Sequence, residues 1–153
     1  MPQTLQQIYQ FLAISEAIAT AGQPTAEQLT AIQQAGYHVV INLALPTSDG
    51  ALPDEAGLVH QLGMEYIAIP VTWEQPTPED CDRFFAALDQ YQDQRIFVHC
   101  AANMRVSAFM YLYRRLRQGT DEAIAQADLR RIWQPNATWQ AFIDRYLQTA
   151  KRS

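Results

Sequence analysis

Cysteine is scarce in this chain: Cys81 and Cys100 are the only two. Two cysteines allow one disulfide at most and do not make the framework of a small secreted domain. Apolar runs are short, and none approaches the length that spans a bilayer. The opening Met1-Pro-Gln-Thr-Leu-Gln-Gln7 lacks the basic flank and small-residue cleavage site of a secretory signal. Positive charge is in deficit, with 11 Lys and Arg against 16 Asp and Glu and a formal net charge of -5. That balance argues against broad binding to nucleic acid or to a membrane surface. Repeats, low-complexity segments and linkers are absent as well. What remains is 48% apolar and 18% charged, the composition of a soluble globular protein. At 153 residues it suits one domain, 1–153, with a sizeable core. The expectation is a cytoplasmic protein without nucleic-acid or membrane partners.

The apolar pattern alternates between strand-like and helix-like segments. A short strand is expected near Phe11–Ile14, followed by a turn ending at Gly22. Thr25 with Gln28 three residues on forms a capping box for a helix that buries Leu29 and Ile32 and stops at Gly36. Tyr37 to Leu45 is a nearly continuous apolar run, the pattern of a parallel strand covered on both faces. Asp54 and Glu55 open the next helix, with Leu58 and Leu62 inward and Gly63 as its stop. Met64 to Ile69 reads as another strand, and Pro70 to Pro78 as a proline-rich loop. Thr77-Pro78-Glu79-Asp80 is a strong helix start, with Phe84, Phe85, Leu88 and Tyr91 on the apolar stripe. Ile96 to Val98 is a buried strand, and Val106 to Arg117 a helix. Gly119 to Glu122 ends that helix and starts one running to about Trp133. A last helix after Pro135-Asn136 carries Trp139, Phe142, Ile143 and Tyr146 inward. Such alternation implies an α/β domain with a central, mainly parallel sheet of four to five strands and helices on both faces. Ligands in such sheets sit at the carboxyl ends of the strands.

Cys100 lies at one of those ends, in Arg95-Ile-Phe-Val-His-Cys-Ala-Ala-Asn-Met-Arg-Val-Ser107. A strand, a tight loop opening on a cysteine, an arginine and then a helix make an anion cradle with a nucleophile beneath it. Amide N–H groups of such a loop point inward, and the helix N-terminus adds positive potential. A positive environment favours the thiolate, the reactive form of a cysteine. Arg105 can hold two phosphate oxygens at once through its planar fork. Asn103 sits where the loop must turn, and asparagine tolerates left-handed backbone angles. His99 can order the loop by hydrogen bonding, and Ser107, one turn into the helix, can donate to the sulfur. The bland readings are a buried structural cysteine, a solvated arginine, a core histidine and a plain helix serine. His38 and His60 have no partners at metal-ligand spacing, so no metal site or cofactor is expected.

This region resembles the cysteine-dependent protein tyrosine and dual-specificity phosphatases, marked by His-Cys, five residues, Arg and then Ser or Thr. Gln23-Pro24-Thr25 with Val40-Ile41-Asn42-Leu43 is similar to the opening of compact bacterial members, including the beta-lactamase-hydrolase-like phosphatases. Gly119-Thr120, Glu122-Ala123, Arg130-Arg131 and Pro135-Asn136 resemble the helical tail of dual-specificity enzymes. The resemblance implies a hydrolase acting on a phosphorylated protein or a small phosphoester, phosphotyrosine first, through a phosphocysteine. Cys100 would be the nucleophile, with Arg105 and the amides of Ala101, Ala102, Asn103, Met104 and Arg105 binding phosphate. Four residues, Ala101 to Met104, separate Cys100 from Arg105, one fewer than the usual spacing. That shorter loop also occurs in the beta-lactamase-hydrolase-like group and in rhodaneses, so a sulfurtransferase using Cys100 is an alternative. His99 and the missing His-Ile-x-Gly-Ala stretch speak against it. A phosphate-binding module without catalysis is the third reading.

Hydrolysis of a phosphoester also needs a proton donor for the leaving oxygen. Relatives use an aspartate on the loop that here follows Met64–Ile69. Glu74, flanked by Trp73 and Pro76, is the expected acid, with Asp80 and Asp49 as alternatives. Asp80 already has a structural explanation as an acid of a helix start, and Trp73 lines the substrate mouth or the core. A redox pairing of Cys81 with Cys100 is open.

Overall fold

The computed structural model describes residues 4–151, so the stretch read above for a secretory signal begins outside the described residues. Its strands are β1 (Leu12–Ala13), β2 (Ile18–Ala21), β3 (Val39–Asn42), β4 (Glu65–Ala68) and β5 (Ile96–His99). Its helices are α1 (Ala26–Gln34), α2 (Glu55–Gln61), α3 (Pro78–Gln90), α4 (Met104–Leu116), α5 (Glu122–Ile132) and α6 (Ala137–Lys151). They form an α/β fold around a five-stranded sheet of order β1-β2-β5-β3-β4. β2, β5, β3 and β4 run parallel, and β1 closes one edge antiparallel to β2.

Every residue of β5 is buried, because helices cover both faces of the sheet and each face takes alternate side chains. Phe97, Val40 and Ala19 point to one side, where they pack with Leu29 and Ile32 of α1 and Val59 of α2. Ile96, Val98, Val39, Ile41 and Ile18 point to the other, against α3, α4, α5 and α6. Local signals place the helices well. Thr25 Oγ1 accepts from the Gln28 amide at 3.1 Å while Gln28 Oε1 accepts from the Thr25 amide at 2.9 Å, the reciprocal box read from the sequence. Thr77 caps α3 by accepting from the Asp80 amide at 3.1 Å.

Two expectations are corrected. The segment read as a turn ending at Gly22 is a strand: Ile18–Ala21 is fully buried and pairs with β5 over its whole length. Its alanines carry little β propensity and no alternation, and only the tertiary position between β1 and β5 makes it a strand. In α2, Leu58 and Leu62 pack against the core as expected, from partly buried positions, and Val59 joins them as its fully buried apolar residue. The Tyr37–Leu45 run also shortens to a ladder over Val39–Asn42, extended by the Leu43 amide donating to His99 O at 2.9 Å.

The helical layer over α4 is aromatic. Trp139 is fully buried, with ring centroids of Trp73, Phe109 and Phe142 at 5.8, 5.9 and 6.0 Å. Its indole N–H donates to the Trp73 carbonyl at 2.9 Å, which ties α6 to the loop after β4. Trp73 itself stacks at 5.3 Å on Trp133, so it serves the edge of this core. Among the described residues no helix is long and apolar enough to cross a membrane. Replacing Trp139 by Ala should cost about 3–5 kcal/mol of stability in urea denaturation. Trp139→Phe, which keeps a ring but leaves the Trp73 carbonyl unsatisfied, should cost about 1–3 kcal/mol.

Candidate active site

The cysteine loop leaves the central strand of the sheet and enters a long helix within a few residues. The Cys100 amide donates to Ala21 O at 3.3 Å, continuing the β2–β5 ladder, and the Gln23 amide donates to Ala101 O at 3.1 Å. Asn103 then reverses the chain with φ 63° and ψ 3°, the left-handed conformation its type tolerates. Its side-chain amide donates to Gln10 O at 2.9 Å and Thr20 Oγ1 at 3.0 Å, pinning the bend to β2 and to the segment before β1. Gly22 packs directly against the loop: a Cβ there would lie 2.7 Å from the Ala101 carbonyl oxygen and 2.7 Å from the Tyr9 ring.

The consequence is a concentration of unused donors. Apart from the antiparallel bridge between Gly22 and Ala102, no backbone N–H from Ala101 to Arg105 makes a close hydrogen bond to a protein acceptor among the described residues. Met104 and Arg105 open α4, whose first amides have no intrahelical acceptor and whose dipole favours an anion. Asn103, at the N-cap, makes no side-chain capping bond that would consume them. Cys100 begins this run and is buried at 1% exposure. Arg105 ends it, also buried, with Nη1 donating to the Val71 carbonyl at 2.9 Å. The loop between β4 and α3 is thereby fastened to the arginine. A buried guanidinium with one nitrogen fixed this way keeps its remaining N–H groups in a set plane, as bidentate anion binding requires.

His99 is completely buried beneath the loop. Its Nε2 lies 2.6 Å from Glu55 Oε2, and its Nδ1 lies 3.3 Å from the Cys100 carbonyl oxygen. Glu55 is itself buried, and its other oxygen accepts from Gln23 Nε2 at 2.9 Å. Burial pushes the Glu55 carboxyl up, but the hydrogen bond and charge of His99, aided by Gln23, outweigh it and hold the group below its ordinary value. Tyr66, which accepts from Asn42 Nδ2 at 3.0 Å, is raised by burial, and the negative charge of Glu55 adds to that.

The other sequence candidates fall at different depths. Ser107 does not direct its proton to the sulfur as expected: its hydroxyl donates to Met104 O at 2.8 Å and accepts from Trp133 Nε1 at 3.0 Å. The single hydroxyl proton is taken by the helix backbone, the ordinary habit of a helical serine. Glu74 is exposed on the loop after β4, within the turn where the Gln75 amide donates to Thr72 O at 3.2 Å. Asp80 is buried in the first turn of α3 and paired with Arg83. Asp49 is exposed on the loop after β3. Cys81 and Cys100 are both free thiols. Burial, with Asp82 and Asp80 nearby, pushes the Cys81 thiol far up despite a hydrogen bond with Tyr146, so it is an inert core residue.

A family model described as a DSP-PTPase phosphatase fused to NAD+ kinase matches residues 7–145. The chain belongs to this phosphatase family. A crystallised candidate phosphatase (DUF442) from Shewanella putrefaciens CN-32 is 38% identical, covering 95% of this chain and 96% of that chain with a TM-score of 0.85. More distant likenesses show the fold alone. P. aeruginosa TpbA in complex with pTyr is 14% identical over 94% of this chain and 91% of its own, with a TM-score of 0.71. The core catalytic domain of the PP-IP phosphatase SIW14 from S. cerevisiae is 17% identical over 95% and 94%, with a TM-score of 0.69. No curated protein matches the chain significantly. The protein is thus a phosphatase of the dual-specificity and protein tyrosine type.

Sequence reasoning missed Glu55 as part of the phosphatase's buried network. An acid in the first turn of a helix is explained by the dipole alone, so nothing local marked it as the partner of His99. The pairing ties stability to pH. A carboxyl held below its ordinary value of 4.5 contributes stability above that value, and the contribution is lost as the pH falls through the lowered native value. Urea midpoints measured from pH 6 down to about pH 3 should therefore drop in the wild type, and Glu55→Gln should show a shallower fall. Gly22→Ala should cost about 1–3 kcal/mol by pressing a methyl into the Ala101 carbonyl and displacing the loop, with phosphatase activity falling in the same variant.

Proposed function

We propose that the phosphatase hydrolyses phosphomonoesters, phosphotyrosine foremost, through a phosphocysteine at Cys100. The observation that carries this reading is the run of amides from Ala101 to Arg105, free of close protein acceptors except at the Gly22–Ala102 bridge, closing over a cysteine at the end of the central strand. In this reading those amides and the Arg105 guanidinium hold the non-bridging phosphoryl oxygens. They are preorganised for charge on the transferring group, so little reorganisation is needed at the moment of reaction. The Cys100 thiolate attacks phosphorus in line with the ester oxygen; the S–P bond forms as the P–O bond breaks. Glu74 donates a proton to the departing oxygen. Water then attacks the phosphocysteine, with Glu74, now a carboxylate, accepting the proton, and inorganic phosphate leaves.

The assignment of Glu74 is supported by its place on the loop that Val71 fastens to Arg105. Glu74 is exposed, whereas Asp80 is committed to Arg83 and to the start of α3. The binding of phosphotyrosine by TpbA supports the choice of an aryl ester as first substrate.

Hydrolysis of an aryl phosphate in the presence of a chelator tests the proposal directly. Cys100→Ser should abolish turnover, and Arg105→Lys should lower kcat by about 10²–10³-fold, since an ammonium cannot replace the planar fork. Acid quenching during turnover should trap phosphate on Cys100, and activity surviving Cys100→Ser would refute the nucleophile. Glu74→Gln should erase the alkaline limb of the pH–rate profile; an unchanged profile assigns the acid elsewhere.

A further inference from the structure

The buried contacts of His99 have a direct bearing on how the cradle is shaped. Both ring nitrogens face oxygen acceptors, the Glu55 carboxylate at 2.6 Å and the Cys100 carbonyl at 3.3 Å. A neutral imidazole has one N–H to give, so it satisfies both only if a proton is shared across the Glu55–His99 pair. With Glu55 present, Nδ1 can keep its proton on the Cys100 carbonyl under either arrangement of that shared proton. The carbonyl and the amide N–H of one trans peptide point in opposite directions, and cis peptide bonds are absent among the described residues. Holding Cys100 O toward His99 therefore turns the Ala101 N–H to the opposite side of the same peptide plane. That N–H is one of the donors that no protein acceptor takes up.

We propose that Glu55 is a positioning residue of the cysteine loop: acting through His99, it locks the Cys100–Ala101 peptide so that the Ala101 N–H faces the bound phosphoryl group. This rests on the reading of Ala101 to Arg105 as the phosphate cradle. Gln23 couples the same device to the far side of the loop. Its side chain holds Glu55 at 2.9 Å, and its backbone amide holds Ala101 O at 3.1 Å. The two peptides flanking Ala101 are thus held by one cluster of residues, the first through the His99 side chain and the second through the Gln23 backbone amide. Glu55 touches neither nucleophile nor substrate in this account and enters only through orientation.

Glu55→Ala and Glu55→Gln separate this role from simple support of the fold. A glutamine amide can donate to Nε2 and leave the Nδ1 proton on the Cys100 carbonyl, so Glu55→Gln should retain the lock. An alanine cannot. Inorganic phosphate affinity, read by calorimetry on each purified full-length protein, should weaken about tenfold or more in Glu55→Ala through loss of an aimed donor to a charged group. In Glu55→Gln it should stay within about threefold of wild type, a difference under 1 kcal/mol in the affinity arithmetic. With an aryl phosphate, kcat/KM should fall by about 10²-fold in Glu55→Ala, mostly in kcat, and be restored in Glu55→Gln. Urea denaturation at pH 7 checks that each variant is folded at the assay temperature. If Glu55→Ala does not fold, Gln23→Ala, which loosens the carboxylate without removing it, should show the same direction of change in phosphate affinity. Wild-type phosphate affinity in a folded Glu55→Ala, or in the Gln23→Ala substitute, overturns the proposal, as does an equal loss in Glu55→Gln. Phosphate affinity needs no turnover. A wild-type protein that binds phosphate without hydrolysing esters would therefore count against the catalytic reading alone.

Discussion

β5 is hydrogen-bonded on both edges, to β2 over Ile18–Ala21 and to β3 over Val39–Asn42. A strand held on two sides cannot shift its end without breaking two ladders, so Cys100 starts from a fixed point. The loop beyond it is then tied at each step. Ala101 is held by the Gln23 amide, Asn103 by contacts to Gln10 and Thr20, and Arg105 by Val71. The loop's own amides, apart from the Gly22–Ala102 bridge, are left without close protein acceptors among the described residues. The rigidity that a preorganised charge site requires is thus supplied by ordinary sheet pairing and a few side-chain bonds.

Five of the nine buried polar residues among those described gather at this end of the sheet. Thr20, Glu55, His99, Asn103 and Arg105 are all buried, although buried polar groups are costly unless hydrogen-bonded. Among their fully enclosed side-chain polar atoms Asn103 Oδ1 alone lacks a partner, while Arg105 uses one nitrogen on Val71 and keeps its other N–H groups. The opposite side of the sheet under α3, α4 and α6 is aromatic and apolar, with Phe84, Phe109, Trp139 and Phe142 packed together. One face stabilises the chain through buried area, while the carboxyl ends of the strands carry the charge chemistry.

The two cysteines illustrate the same division. Both are buried and free. Cys81 lies on α3 among carboxylates and Tyr146, and its thiol is pushed far up. Cys100 instead lies at the mouth of a run of amide donors and a helix N-terminus. The two cysteines differ in the groups that surround the sulfur, carboxylates and a tyrosine at Cys81 and backbone N–H groups at Cys100.

Much of this was written locally. Thr25-x-x-Gln28, Thr77-Pro78 and Gly119 mark helix ends by capping and backbone preference, and the structure places them within a residue or so. The Val39–Asn42 run, His99-Cys100, the left-handed Asn103 and Arg105 were all legible because the chemistry of each is carried by adjacent residues. The strand Ile18–Ala21 was not, since two of its four residues are alanines, which carry little strand preference until β5 and β1 flank them. Nor was the full set of partners of Ser107, whose partner Trp133 lies a helix away, or the burial of Val59 beside the inward Leu58 and Leu62 of α2. The pairing of Glu55 with His99 spans 44 positions and has no local signature. The sequence by itself determined which residues could cap, bend, attack or bind an anion. The tertiary structure alone decided which buried donors meet which acceptors, because hydrogen bonds between distant segments exist only after the sheet has brought them together.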